Sequence, residues 1–186
     1  MGDPSPVCAA SAIILPVAVA EPLVSGWRMR HDASAAAGVP AHVTVIAPFL
    51  APERVTADVL AELRALFSAR PAPQVRFTRS GRFPATGDAP GVLYLDPEPA
   101  DGLRALTETV VGRWPEAPPY GGIHGQIVPH LTVAIAGEAT LDRLQHELDG
   151  ALGAGFGATL TDAVLYIRAG DRWRARASLP LGAPGA

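Results

Sequence analysis

A four-residue pattern occurs twice in this chain, as HVTV beginning at His42 and as HLTV beginning at His130. The alternation of polar and apolar residues is typical of a β-strand, in which successive side chains point to opposite faces. His42 therefore shares a face with Thr44, and His130 shares a face with Thr132. An apolar core has little reason to bury four polar groups on matching faces. The sequence thus predicts two strands that each present an imidazole and a hydroxyl for function.

The rest of the chain predicts further strands and amphipathic helices around these two motif strands. Strands are predicted at about 13–20, 41–47, 74–80, 91–95, 130–136, 163–168 and 173–179. Helices are predicted within 21–37 and at about 52–70, 99–114 and 140–152. In each half, a motif strand precedes a helix and then a pair of strands, which suggests a duplicated α+β unit. We expect residues 1–186 to form one domain of two lobes with a site between them.

Composition excludes several classes of function. All fifteen cationic residues are arginine, and the chain contains no lysine. An enzyme that forms an adenylyl-lysine, a Schiff-base enzyme and a Walker A phosphate loop each require a lysine. The net charge of -3 also argues against a polybasic nucleic-acid binder.

The N-terminal part of the sequence predicts a β-strand rather than a targeting segment. Residues 9–20 are apolar, but the first basic residue is Arg28 and Pro16 interrupts the run, so the features of a signal peptide are missing. Cys8 is the only cysteine, which excludes an intrachain disulfide and a cysteine-ligated metal site. No apolar run reaches the length of a membrane span. We expect a cytoplasmic protein that does not bind membranes.

The motif residues have the chemistry needed to act on a phosphate ester. Near neutral pH one imidazole can take a proton while a second gives one, and hydroxyls can hold phosphate oxygens. The two histidines can act together only if the strands face each other across a cleft. We expect no metal, because neither motif is followed by a third histidine or a carboxylate at ligand spacing. The Gly-x-Ser-x-Gly elbow of serine hydrolases is absent too.

These motifs and several other segments resemble the two-histidine phosphoesterase superfamily, and in particular its branch of 2′-5′ RNA ligases and RNA 2′,3′-cyclic phosphodiesterases. The segments that carry the resemblance are HVTVIAPF at 42–49, GVLYLDPEP at 91–99, PYGG at 119–122, PHLTVA at 129–134 and the end of the last strand at Leu181-Gly182. The resemblance implies an α+β fold of two pseudo-symmetric lobes. Each lobe would contain an antiparallel sheet with packed helices, and the motif strands would line a central groove.

The resemblance also implies a reaction and roles for the motif residues. Water opens a 2′,3′-cyclic phosphate, with His42 as general acid, His130 as general base, and Thr44 and Thr132 holding phosphate oxygens. The same chemistry needs no cofactor. Since one imidazole must be protonated and the other neutral, we expect a bell-shaped dependence of rate on pH near neutrality.

Three further residues are candidate substrate contacts. Tyr120 and Phe83 could stack on a base, although core packing or loop anchoring is an alternative for both. Arg172, with Arg174 and Arg176, alternates along one predicted strand and could follow a phosphate backbone, whereas a solvated outer face is the alternative. The other histidines, at positions 31, 124 and 146, are expected to lie at the surface.

Three functions remain open from the sequence. The first is a metal-independent enzyme that hydrolyses a cyclic phosphate on an RNA end or a small nucleotide. The second is ATP-independent 2′-5′ RNA ligation, which is the same chemistry in reverse. The third is a non-catalytic module that binds RNA ends or nucleotides, against which the two intact histidines argue. We expect a monomer in each case.

Overall fold

The computed structural model describes residues 10–87, 89–118 and 127–184. The strands of the described residues are β1 (Ser11–Pro16), β2 (His42–Ile46), β3 (Gln74–Phe83), β4 (Gly91–Glu98), β5 (Leu131–Ala136), β6 (Phe156–Thr159), β7 (Asp162–Ala169) and β8 (Arg172–Pro180). The helices are α1 (Glu21–His31), α2 (Ala33–Ala36), α3 (Ala57–Ser68), α4 (Asp101–Arg113) and α5 (Glu138–Leu152). Within this part of the chain, no helix is both long enough and apolar enough to span a bilayer.

The strands form two four-stranded sheets in which every paired strand is antiparallel. The strand orders are β2-β1-β7-β8 and β5-β4-β3-β6. The predicted α+β fold with an antiparallel sheet in each lobe is therefore confirmed. The lobes are not successive halves of the chain, however, because β3 and β4 join the sheet of β5, and β7 and β8 join the sheet of β2. The repeat suggested that each half of the chain forms one lobe, but the strand pairing combines strands from both halves in each sheet.

Both motif strands lie at a sheet edge, and they pack against each other. Their inward side chains, Val43, Val45, Leu131 and Val133, are at most 3% exposed. Burying side chains of this size contributes roughly 1.5–3 kcal/mol each. The apolar face of each motif strand is thus buried, and the histidine and threonine of each motif lie on the opposite face.

Helices cross between the lobes to cover these edges. Helix α1, which follows β1 of the first sheet, packs against β5 of the second, and α4, which follows β4, packs against β2. The buried Thr107 of α4 donates a hydrogen bond to the carbonyl oxygen of Val45 at 2.9 Å. The pairing of β2 with β1 skips Val45 because of a bulge. Helix α4 therefore hydrogen-bonds to a strand carbonyl at the bulge of β2.

The remaining long helices pack as their apolar periodicity predicts. Leu63 and Phe67 of α3 are fully buried, and this helix lies against β8. Helix α5 lies against the second sheet through a stripe of leucines. The stripe consists of Leu141, Leu144, Leu148 and Leu152.

Two local differences from the sequence expectations have physical explanations. Strand β6 was not predicted, because its sequence FGAT is short and contains glycine, which disfavours strands in isolation. Pairing with β3 and stacking of Phe156 on Phe77, at 5.1 Å between ring centroids, stabilise it. Strand β1 ends at Pro16 instead of Ala20, since residues Ala18–Ala20 form a 3-10 turn that leads into α1.

The three arginines of β8 do not form the continuous face expected from their alternation. The register of β8 with β7 pairs Arg172 with Ala169 and Arg174 with Ile167 but skips Arg176 at a bulge. All three arginines are exposed. A bulge changes which face a side chain occupies, so simple alternation does not extend over this strand.

Candidate active site

The first histidine is held at the start of β2 by its own backbone. His42 Nδ1 lies 2.7 Å from the carbonyl oxygen of Pro40. A carbonyl oxygen only accepts hydrogen bonds, so Nδ1 carries the proton and donates it. The neutral ring then has its lone pair on Nε2. This nitrogen is the one available for proton transfer.

The second histidine is held in the same way. His130, directly before β5, donates from Nδ1 to the carbonyl oxygen of Val128 at 2.8 Å. Both imidazoles therefore hydrogen-bond the carbonyl two residues earlier and have the same tautomer. Fixing the tautomer in this way is how a protein prepares a histidine for acid–base chemistry.

The threonines lie where the alternation places them. Thr44 and Thr132 are partly buried, whereas the residues on either side of each are buried. Thr44 pairs with Ile14, and Thr132 pairs with Tyr94. Within the described part of the chain, neither threonine hydroxyl makes a hydrogen bond, so both can serve a ligand.

Removal from water lowers the pKa of both histidines. Burial, helped by the positive charges of Arg28 and His130, lowers the pKa of His42 to about 4, against the opposing effects of the Pro40 carbonyl and Asp32. Burial also lowers the pKa of His130, against the effect of the Val128 carbonyl. Each ring keeps some exposure to solvent. Both therefore favour the neutral form, and the charge on one is felt by the other.

Two aromatic rings pack around His130. Phe83 meets its imidazole edge to face at 4.9 Å, and Tyr94 lies at 5.4 Å, both between ring centroids. The phenol ring of Tyr94 rests over Gly81, where an added Cβ would be 2.6 Å from Tyr94 Cζ. The structure thus brings the candidate Phe83 to the site. Tyr94 was missed, although its alternation with the buried Leu93 and Leu95 places it on the same face as Thr132.

Other sequence candidates do not join the two histidines. Arg172 lies at the hairpin between β7 and β8, and it is paired with Ala169, two positions from Ile167. Thr44, Ile14 and Val164 are aligned across the sheet and share one face. Ala169 lies an odd number of positions after Val164 on β7, so its side chain is on the other face. Arg172, the partner of Ala169, is therefore on the opposite face from Thr44. Tyr120 and His124 lie outside the described residues. His146 is exposed on α5, as expected.

A buried ion pair behind His42 was not found from the sequence. Arg28 and Asp32 are joined at 2.9 Å with side chains that are only 2% and 4% exposed. Their spacing of four residues is equally typical of a surface pair on a helix. Only the burial of α1 against β5 distinguishes the two cases.

The site combines two acid–base groups with two hydroxyls on facing strands. Such an arrangement can move a proton to one atom of a ligand and from another while hydroxyls bind its oxygens. Among the residues that the structure describes, no cluster of three or more histidine, cysteine, aspartate or glutamate side chains could hold a metal ion. The groups present are those of acid–base chemistry.

Comparison with known proteins identifies the class. Residues 15–172 match the family model of the 2′-5′ RNA ligase superfamily. The chain belongs to this superfamily, the two-histidine phosphoesterases, whose members act on phosphate esters. It is 28% identical over 122 residues to a protein of Geobacillus kaustophilus that is provisionally named a phosphoesterase. That match covers 65% of each chain, just under two thirds of the relative's length.

Solved structures show the same fold at low sequence identity. TT0787 of Thermus thermophilus is 14% identical with a TM-score of 0.59, over 94% of this chain and 98% of that one. Escherichia coli LigT complexed with ATP is 17% identical with a TM-score of 0.57, over the same shares. LigT has also been crystallised with 3′-AMP, in a structure with a TM-score of 0.56. These likenesses confirm the bilobal arrangement of the sheets.

Proposed function

We propose that this protein is a metal-independent phosphoesterase that hydrolyses a 2′,3′-cyclic phosphate at an RNA end or on a nucleotide. The observation that carries the proposal is the matched pair of Nδ1 hydrogen bonds, to Pro40 and to Val128, which give both histidines the same tautomer. Two such imidazoles supply the base that activates water and the acid that protonates the departing ribose oxygen.

The threonines provide the remaining function. Thr44 and Thr132 hydrogen-bond the non-bridging phosphate oxygens and hold the phosphorus between the two imidazoles. The nucleotides crystallised with LigT, ATP and 3′-AMP, support a nucleotide-sized ligand for this groove. Phe83 and Tyr94 are aromatic surfaces beside His130 on which a base or ribose can pack.

The test is hydrolysis of 2′,3′-cyclic nucleotides and of short RNAs with a cyclic end, in the presence of EDTA. Wild type should release a monophosphate, and His42→Ala and His130→Ala should each lower kcat/KM about 10²–10⁴-fold, as expected for loss of an acid or base. His146→Ala is the matched control, because this exposed histidine lies on α5. Absence of turnover by wild type on all these substrates would contradict the proposal.

The family description favours RNA ligation as a second candidate. In this reaction a ribose 5′-hydroxyl replaces water as the group that attacks the cyclic phosphate, so one imidazole again acts as the base for the attacking oxygen and the other as the acid for the departing ribose oxygen. Incubating RNA fragments that carry a 2′,3′-cyclic phosphate and a 5′-hydroxyl without ATP tests for joined product. Binding of a cyclic nucleotide without hydrolysis or ligation would instead indicate a binding module.

A further inference from the structure

A cavity of about 440 Å³ lies between the end of β1 and the start of β7. The pairing of β1 with β7 runs only as far as Ile14 and Val164. Beyond that pair, β1 stays with β2, where Pro16 pairs with His42, while Asp162 of β7 stays paired with β8. Pro16 and Asp162 both line the cavity, which therefore occupies the gap between the two parted strands.

This cavity lies one strand away from His42. Pro16 pairs with His42 and Ile14 pairs with Thr44, so the side chain of Pro16 is on the sheet face that carries both motif residues. Neighbouring strands are about 4.8 Å apart. A group bonded to a phosphate beside His42 can therefore reach the cavity. In a cyclic phosphate, that group is the nucleoside.

The two walls of the cavity differ in polarity. Residues 16–19 form an apolar wall, in which the large side chain of Val19 is 52% exposed. Residues 157–162 form the opposite wall, which carries the hydroxyl of Thr161 and the carboxylate of Asp162. Binding pockets for small molecules combine apolar walls with a few placed polar groups. A nucleobase, with apolar faces and a polar edge, matches this division.

Hydrogen bonds orient the Asp162 carboxylate and leave both of its oxygens able to accept again. Thr161 Oγ1 donates to Oδ2 at 2.8 Å, and Ser178 Oγ donates to Oδ1 at 3.2 Å. Among the described residues, no cationic side chain forms an ion pair with this carboxylate. An ionised carboxylate only accepts hydrogen bonds, and each oxygen has two lone pairs. Each oxygen can therefore accept one further N–H.

A carboxylate in the cavity selects among the groups of the substrate. Its charge disfavours phosphate, and a ribose whose 2′ and 3′ oxygens are both in the cyclic phosphate has no free diol to donate. The donors that remain close to the phosphate are the N–H groups of the base. Guanine alone among the four RNA bases presents two adjacent donors on one edge, N1–H and N2–H, which match the two carboxylate oxygens.

We propose that this cavity binds the base of the nucleotide that carries the cyclic phosphate, and that Asp162 makes guanine the preferred base. This role of the cavity rests on the proposed function and names its substrate class, a guanosine 2′,3′-cyclic phosphate, free or at an RNA end. The departing ribose oxygen then lies on the side of His42, in agreement with the acid role expected for it. The rings of Phe83 and Tyr94 beside His130 are left for a neighbouring nucleotide.

The test is calorimetric titration with the 2′- and 3′-monophosphates of guanosine, adenosine, cytidine and uridine, which are the possible products. Wild type should bind the guanosine nucleotides about tenfold more tightly than the uridine nucleotides, the size of one charge-assisted hydrogen bond. Asp162→Asn replaces one acceptor oxygen with a donor amide. Affinity for the guanosine nucleotides should then fall about tenfold, while the affinities for the other three change less than about twofold.

Asp171→Asn is the matched control, because Asp171 is an exposed aspartate in the turn at the other end of the β7–β8 hairpin. It should leave all affinities unchanged. A merely structural role of Asp162 would weaken the binding of all four bases alike in Asp162→Asn. Simple repulsion of phosphate by Asp162 would instead make this variant bind all four more tightly. Either result would overturn the inference.

A pair of dinucleotides separates the base from the ribose of the preceding nucleotide. Two guanosines ending in a 3′-phosphate, and the same molecule with 2′-deoxyguanosine at the first position, should bind equally tightly. Weaker binding of the deoxy analogue, or equal affinity of wild type for all four bases, would contradict the proposed site without any variant.

The binding measurements need no turnover, so they give their answer even if the protein hydrolyses no cyclic phosphate. Failure of the proposed function is therefore seen separately from failure of the guanine site. Where cyclic nucleotides are hydrolysed, kcat/KM should be highest for guanosine 2′,3′-cyclic phosphate in wild type. In Asp162→Asn this preference should be lost.

Discussion

At the scale of single residues, the proposed acid–base and phosphate-binding groups are visible in the sequence, while the residues that pack around them are not. His42, Thr44, His130 and Thr132 follow from strand alternation alone. Tyr94 lies in an ordinary apolar strand pattern, and its place beside His130 depends on the absence of a side chain at Gly81 on the neighbouring strand. A contact between residues of different strands has no signal in the local sequence.

This dependence makes Gly81→Ala informative. The new methyl group would sit 2.6 Å from Tyr94 Cζ, so the ring must move away from its position over β3 and beside His130. We expect a loss of about 1–3 kcal/mol in the free energy of unfolding, the usual cost of overpacking, and a fall of about tenfold in kcat/KM for a cyclic nucleotide. Denaturant unfolding and steady-state kinetics measure the two effects.

Gly157→Ala serves as the control for that substitution. Gly157 lies in β6 of the same sheet, and a Cβ there would meet its nearest atom at 3.8 Å, an ordinary contact. Its activity and stability should remain near those of wild type. Equal effects of the two alanines would show that the position of the Tyr94 ring is not what Gly81 protects.

At the scale of elements, helix and strand types follow the apolar periodicity, but the partners of each element do not. The stripe of α5 and the buried face of α3 are readable from the sequence. The packing of α1 on β5 and of α4 on β2 exchanges helices between the lobes. Periodicity states that a helix has an apolar face without stating which strand receives it.

Thr107→Val tests the contact between α4 and β2. The substitution keeps the shape of the side chain but removes the hydroxyl that donates to the Val45 carbonyl at 2.9 Å. An acceptor left unpaired in a buried position costs about 1–3 kcal/mol, and urea unfolding should show a loss of that size. Thr107→Ser should lose less, because it keeps the donor.

The matched control for α4 is Thr109→Val. Thr109 is only partly buried on the same helix and donates within the helix, to the Ala105 carbonyl at 2.6 Å. The same substitution at this position should change the free energy of unfolding by no more than a few tenths of a kcal/mol. A comparable loss at both positions would attribute the Thr107 effect to the helix itself.

At the scale of the whole molecule, the interleaved lobes bring two strands from distant parts of the chain together and partly bury both imidazoles. We therefore expect kcat/KM to peak between about pH 4 and 6.5, below the neutral optimum that unperturbed histidines would give. The reason is that the pKa of both groups is lowered, so the acid loses its proton before pH 7 is reached. A pH series of cyclic-nucleotide hydrolysis measures the peak.

Two measurements secure the interpretation of that profile. Circular dichroism across the same pH range shows that the protein stays folded, and a test with added viscogen shows that chemistry limits the rate. A maximum at or above pH 7 under these conditions would mean that the free protein does not hold its histidines in the neutral form.

The sequence by itself determined the class of fold, the superfamily and the four groups of the candidate site, because strand alternation and two short motifs are local properties. The tertiary structure decided which strands share a sheet, that Phe83 and Tyr94 surround one histidine, and that a buried Arg28–Asp32 pair lies behind the other. These features join residues that are far apart in the chain or depend on burial. These contacts form only when distant parts of the chain pack together, so no local sequence pattern predicts them.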